Sequence, residues 1–340
     1  MDTMVSINAS ESARNALQHV LGAVEGERLA VICDAPALQV GEAFTGGALR
    51  LGLWTRLIEL EAGPEVRLAV PKEIYNIVSS RAADIFITIF RESEKETPFR
   101  VKIINLITRY RRYRLGHCPG ITIDMLTEGA LALSPEEHKD LQESAQRLLM
   151  RLAGAQEIRV TNPSGTDISF SVSGRPFFTD TCFDWKTFKW LNLPTGEVIA
   201  GPVESSLNGT LVCDLAVGGI GPIKSPITIR AKGGMAVEIS SQDHLLKRRV
   251  EAALSVDEMA RYVGEFAFGL NRKARIHANF LEAEKVYRTV HIAFGHNSDY
   301  PGGMNNSATH MDFLISSPTV EVRLQSGDRF TIMEDGDLLL

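Results

Sequence analysis

Over roughly the first 155 positions, hydrophobic residues alternate between helical and strand-like spacing. Ala13, Leu17, Val20, Leu21 and Val24 recur at the interval of one helix face, with Ser10 placed to cap that helix. Residues 28–33 (RLAVIC) predict a short buried strand, and Asp34 ahead of Ala35 and Pro36 opens the next helix. Residues 57–60 form a second strand. Pro71 starts a helix reaching about Ala83, and residues 85–90 (IFITIF) are a third strand, apolar throughout. Apolar strands alternating with helices predict a largely parallel sheet covered on both faces. Ser134 begins a long helix with a capping box completed by Glu137, running to about Leu152. Gly154 and Ala155 end it. The expected organisation is therefore an α/β domain over residues 1–155 and a second domain over 156–340.

Beyond residue 155 strands dominate. Residues 158–161 and 168–172 flank the turn formers Asn162, Pro163, Ser164 and Gly165, which predicts a hairpin. Further strands are expected at 198–200, 211–217, 227–231, 235–239, 290–294, 311–315, 320–324 and 330–333. A helix is expected from Gln242 to about Val263. This second part reads as a mostly antiparallel, strand-rich α+β domain.

Several positions in it carry chemistry. His310 and Asp312 stand two apart on an expected strand, so imidazole and carboxylate project from one face. Such a pair suits a divalent ion of the zinc, cobalt, manganese or iron type. His291 lies inside an apolar strand, followed by a glycine-rich polar stretch containing Gly295, Gly302 and Gly303. Glu197 ends a turn just ahead of a strand. Glu265 is a charge within an otherwise apolar run, and a buried carboxylate is neutral, paired or metal-bound.

Composition narrows the class. The 340 residues are 44% hydrophobic and 23% charged, ordinary for a globular enzyme. A formal net charge of -6 argues against nucleic acid as the main partner. The basic run 109–114 (RYRRYR) is better read as cations at a helix C-terminus. The glycine run 218–221 precedes Pro222 and a strand, not the helix a phosphate loop needs. There is no apolar stretch of the roughly 20 residues a membrane helix needs, and no signal-peptide pattern at the start. Cys33, Cys118, Cys182 and Cys213 are scattered, which fits a reducing cytoplasm.

A set of ordered motifs covers about half the chain: NPSGTDISFSVSGR (162–175), NLPTGEV (192–198), VESSLNGTLV (203–212), GEFAFGLN (264–271), TVHIAFG (289–295) and GGMNNSATHMD (302–312). Together they resemble the thermophilic metallo-aminopeptidases of the aminopeptidase T and aminopeptidase S type. The resemblance implies a homodimeric amide hydrolase acting on a small-molecule or short-peptide substrate. It implies two divalent ions (zinc, cobalt or manganese) on Glu197, Glu265, His291, His310 and Asp312 in a metal-binding catalytic domain. Glu284 is the matching candidate for proton transfer. Members place a tyrosine a few residues after the TVHIAFG histidine; here Asn297 and Ser298 stand there, and Tyr300 is the nearest tyrosine.

The superfamily also resembles the 2,5-dihydroxypyridine dioxygenases, which use one Fe(II). His291, His310 and Asp312 satisfy a two-histidine, one-carboxylate triad, and His117 in GHCPG (116–120) serves either enzyme as an acid or base. Those dioxygenases carry a histidine where this chain has Glu265, so Glu197 and Glu265 favour the hydrolase. A third reading is a relative that binds a metal or small molecule without turnover.

Overall fold

A computed structural model describes residues 3–340. The chain forms two compact units. One comprises residues 1–142 and 180–195, the other residues 143–179 and 196–340.

The first unit holds a five-stranded sheet of β1 (Arg28–Asp34), β2 (Trp54–Leu60), β3 (Ile85–Ile89), β4 (Arg114–His117) and β8 (Leu191–Asn192). Its order is β2-β1-β3-β4-β8 and every pairing is parallel. Alternate residues feed two cores: Val31, Cys33, Ile85 and Ile87 face one way, Ala30, Ile32 and Phe86 the other. Both faces are thus covered, as the apolar strands require. Helix α1 (Thr3–Asn15) precedes the first strand, and α2 (Leu38–Arg50), α3 (Lys72–Ser80), α4 (Thr97–Thr108) and α5 (Ile123–Thr127) lie between successive strands of the sheet. Helix α1 starts well upstream of Ser10, which lies buried within it and caps nothing. Arg109 follows the last turn of α4, while Arg114 is drawn into β4 and pairs with Glu27.

Helix α6 (Pro135–Leu152) opens on the expected capping box: Ser134 N–H donates to Glu137 (2.8 Å) and Glu137 N–H to Ser134 Oγ (3.1 Å). Among the described residues no helix is long and apolar enough to cross a membrane.

The second unit contains two sheets. One consists of β5 (Ala155–Thr161), β6 (Asp167–Ser171), β10 (Asn208–Cys213), β13 (Ile227–Lys232), β14 (Met235–Ser241), β18 (Thr319–Leu324), β19 (Arg329–Glu334) and β20 (Asp337–Leu338). Their spatial order is β14-β13-β10-β6-β5-β18-β19-β20. The β5–β6 hairpin is the one expected around the Asn162 turn, with Asn162 Oδ1 accepting from Thr166 N–H (2.9 Å). The other sheet consists of β7 (Phe178–Thr179), β9 (Glu197–Ala200), β11 (Ala216–Val217), β12 (Gly221–Pro222), β15 (Val263–Gly269), β16 (Thr289–Gly295) and β17 (His310–Ser316). Its order is β12-β11-β17-β16-β15-β9-β7. Phe170 of the first sheet meets Phe266 of the second at 5.0 Å, so the two share a core there.

One expectation is corrected here. Helix α7 (His244–Ala253), capped by Asp243, stops ten residues short of Val263. Val263 instead opens β15, because GEFAFG has the two-residue period of a strand. The short helix α8 (Phe280–Ala283) completes the unit.

Candidate metal centre

The strands β9, β15, β16 and β17 lie side by side, and register decides what meets on each face. In β15, Phe266 and Phe268 turn into the core, leaving Glu265, Ala267 and Gly269 on the opposite face. In β16 the same division sends Val290, Ile292 and Phe294 one way and His291, Ala293 and Gly295 the other. In β17, His310 and Asp312 share that second face. Pairing sets Glu265 opposite Ala293 and Ala293 opposite Asp312, while His291 lies opposite Ala267. Alanines thus separate the functional side chains and leave a hollow into which the longer ones bend. Gly264 sits at an irregularity in the β15–β16 pairing that re-aims Glu265. A Cβ at Gly264 would stand 2.7 Å from the Gly295 carbonyl, so only glycine fits. Gly196 presents Glu197 from a backbone φ of +139°, which other residues rarely adopt.

The five side chains singled out in the sequence converge. His291 Nε2 lies 3.3 Å from Glu265 Oε1, 3.6 Å from Glu197 Oε1 and 3.8 Å from Asp312 Oδ1. His310 Nε2 lies 3.0 Å from Glu265 Oε2 and 3.2 Å from Asp312 Oδ1. The two oxygens of Glu265 therefore address different histidines. Glu197, Glu265, His291 and Asp312 are buried, while His310 is partly exposed and gives the cluster its open side. The His310 ring is aimed by its Nδ1, 2.7 Å from the His296 carbonyl.

Charge accounts for the protonation of the group. Burial pushes His291 down, but the hydrogen bond to Glu265 and the charges of Glu197, Glu265 and Asp312 raise it to about 9. Burial acts on His310 likewise, and Asp312 and Glu265 lift it well above its ordinary value. Burial pushes Glu265 up, yet the two histidines hold it well below the usual carboxylate range.

A divalent ion fits this donor set. Glu265, His310 and Asp312 each bring one donor atom within 4.8 Å of the others. Mixed imidazole and carboxylate donors match zinc, cobalt, manganese and iron, whereas calcium takes oxygen alone.

Three further residues complete the surroundings. Glu284, just after α8, pairs with Lys285 at 2.7 Å. Burial and the Asp312 charge raise its carboxyl, against the opposing pull of Lys285 and His291. Lys285 is buried and also contacts Glu197; nothing in its sequence position beyond adjacency to Glu284 marked it. Tyr300, displaced in sequence from the family's tyrosine, nonetheless reaches the cluster: its hydroxyl donates to Glu265 Oε2 at 2.6 Å. Burial and the Glu265 charge hold that phenol well above its usual range, so it stays protonated. The loop carrying Tyr300 is clamped by the buried Asn297, which donates to Glu204, itself paired with Arg175 at 2.6 Å. That clamp was not legible in the sequence.

His117 belongs to the first unit, at the end of β4. Its Nδ1 lies 2.8 Å from Thr88 Oγ1, and burial with the Arg100 charge lowers it to about 3. It is neutral at pH 7. The glycine run at 218–221 is no phosphate loop: Gly218 N–H donates to the Asp312 carbonyl and steadies β17.

The fold and the cluster define a metal-dependent enzyme, and comparison with known proteins supports this class. Residues 133–338 match the model of the thermophilic metalloprotease (M29) family, and the chain belongs to that family. Two solved structures share the fold. Wild-type AmpT from Thermus thermophilus is 19% identical with a TM-score of 0.70, the match covering 98% of this chain and 99% of that one. A 2,5-dihydroxypyridine dioxygenase from Pseudomonas putida KT2440 is 16% identical with a TM-score of 0.70, covering 98% and 97%. No curated protein matches the chain.

Proposed function

We propose that this enzyme hydrolyses an amide bond at the free N-terminus of a short peptide or in a small aminoacyl amide. Two divalent ions, zinc, cobalt or manganese, would be held by Glu197, Glu265, His291, His310 and Asp312. The observation that carries this reading is the Glu265 carboxylate, whose separate oxygens face His291 and His310 with Glu197 and Asp312 close by. A single-iron triad has no use for the two glutamates. Bound dications supply Lewis acidity towards a carbonyl and lower the pKa of water.

The chain's own groups do the rest. Glu284, with its carboxyl raised, carries a proton to the leaving amine. The Tyr300 hydroxyl donates to Glu265 Oε2 and so fixes the carboxylate that would hold the ions. His117 is kept as a weaker candidate for acid–base work. The reading includes the homodimer and the cytoplasmic location expected from the sequence.

The test is hydrolysis of leucine p-nitroanilide after chelation and after restoring each metal. Loss on chelation and recovery with zinc, cobalt or manganese supports the reading. Ring cleavage of 2,5-dihydroxypyridine under oxygen with Fe(II), and no amide hydrolysis, would replace it by the dioxygenase, whose His291, His310 and Asp312 triad the cluster also contains. Neither reaction with any metal would leave the binding-only relative.

A further inference from the structure

We infer that the two ion positions are unequal and that Lys285 makes them so, its ammonium holding the Glu197 half of the cluster at lower affinity than the Glu265, His310 and Asp312 half. This inference rests on the two-metal reading above and concerns the order in which that site fills.

The asymmetry lies in the contacts. Glu265, His310 and Asp312 form a compact trio. The remaining donors, Glu197 and His291, meet at 3.6 Å through Glu197 Oε1. Glu197 Oε2, however, accepts from the Lys285 ammonium. That ammonium also pairs with Glu284 at 2.7 Å, and its side chain is only 4% exposed. A second dication drawing on Glu197 would therefore share one carboxylate with a buried cation. Like charges close together in a poorly screened interior repel strongly, and bulk salt screens a buried pair much less than an exposed one.

Lys285 cannot easily withdraw. Its N–H donates to the Glu282 carbonyl at 3.1 Å and its own carbonyl accepts from Asn271 N–H at 2.9 Å, which pins the backbone on both sides. The ammonium thus behaves as a built-in cation that offsets Glu197 and Glu284 when the second ion is absent. It leaves the first position unopposed. The expected consequence is stepwise filling, with one ion retained through dialysis and a second that exchanges.

Zinc titration by isothermal calorimetry, with bound zinc counted after equilibrium dialysis, tests this on the intact chain. The wild type is expected to bind one equivalent tightly and a second at least tenfold more weakly. Lys285→Met should tighten the second equivalent at least tenfold and leave the first little changed. Because that change strands Glu284 beside Glu197, the double variant Glu284→Gln/Lys285→Met is measured alongside; it removes both charges and should show the same tightening. Two equivalents of equal affinity in the wild type would overturn the inference while sparing the two-metal reading. A second equivalent that weakens or stays the same in both variants would do likewise. One equivalent in every protein, or none, would overturn the two-metal reading itself and the inference with it.

Discussion

Metal uptake should release protons, in a number set by how many ligating histidines are protonated beforehand. His291 is raised to about 9 and His310 well above its ordinary value by the carboxylates around them, so both imidazoles are protonated at pH 7 in the metal-free protein. An imidazolium offers no lone pair, so each histidine that ligates must first lose its proton. Glu265 is held well below the usual range and contributes none. On the proposed two-ion reading, filling the site at pH 7 should release about two protons, and the overall association constant should rise about 10,000-fold from pH 6 to pH 8. Zinc calorimetry in PIPES and in Tris, whose ionisation enthalpies differ, counts the protons once the heat of the zinc–Tris complex is subtracted. The same shifts have a sign for folding. A raised folded-state histidine contributes stability fully below its unfolded value of 6.5 and loses it as pH climbs through about 9. Metal-free protein should therefore melt at lower temperature at pH 9.5 than at pH 6.5 on account of these groups. Identical binding heats in the two buffers, with affinity flat in pH, would refute the account of charge in this cluster.

Other perturbations reach separate parts of the structure. His310→Ala removes a partly exposed ring from the compact trio and should weaken the first zinc by more than about 100-fold, beyond the loss expected for an outer partner; calorimetry reads the loss, and a single cooperative melt should show the fold intact. Tyr300→Phe deletes the hydroxyl that donates to Glu265 and should lower kcat on leucine p-nitroanilide about 10- to 100-fold with KM little changed. An equal rise in KM would show that the phenol binds ground-state substrate instead. Phe266→Ala empties a fully buried position packed on Phe170 and Phe268 and should cost about 3–5 kcal/mol in urea unfolding.

How much of this was legible in the sequence follows from which interactions are local. The parallel sheet announced itself because 28–33 and 85–90 are apolar on both faces. The Ser134–Glu137 box was readable because capping spans three residues. Period-two spacing put His310 beside Asp312. What adds Glu197, Glu265 and His291 is register across four strands, which no local pattern encodes; there the ordered motifs did the work. The end of helix α7 carries no local mark: helical spacing can be extended towards Val263, and only the two-residue period of 264–269 shows where β15 takes over. Lys285 and the Arg175–Glu204–Asn297 clamp stayed hidden since their partners lie 29 to 93 positions away. Tyr300 is displaced in sequence from the family's tyrosine, yet loop geometry, not spacing, decides where its hydroxyl ends.

The most direct test of the central claim is a crystal grown with zinc and measured at the zinc absorption edge. The account predicts an anomalous peak within about 2.0–2.2 Å of donor atoms from Glu265, His310 and Asp312, with a second, lower-occupancy peak towards Glu197 and His291. A map with no peak at this cluster, from crystals whose dissolved protein hydrolyses leucine p-nitroanilide in a zinc-dependent manner, would contradict it.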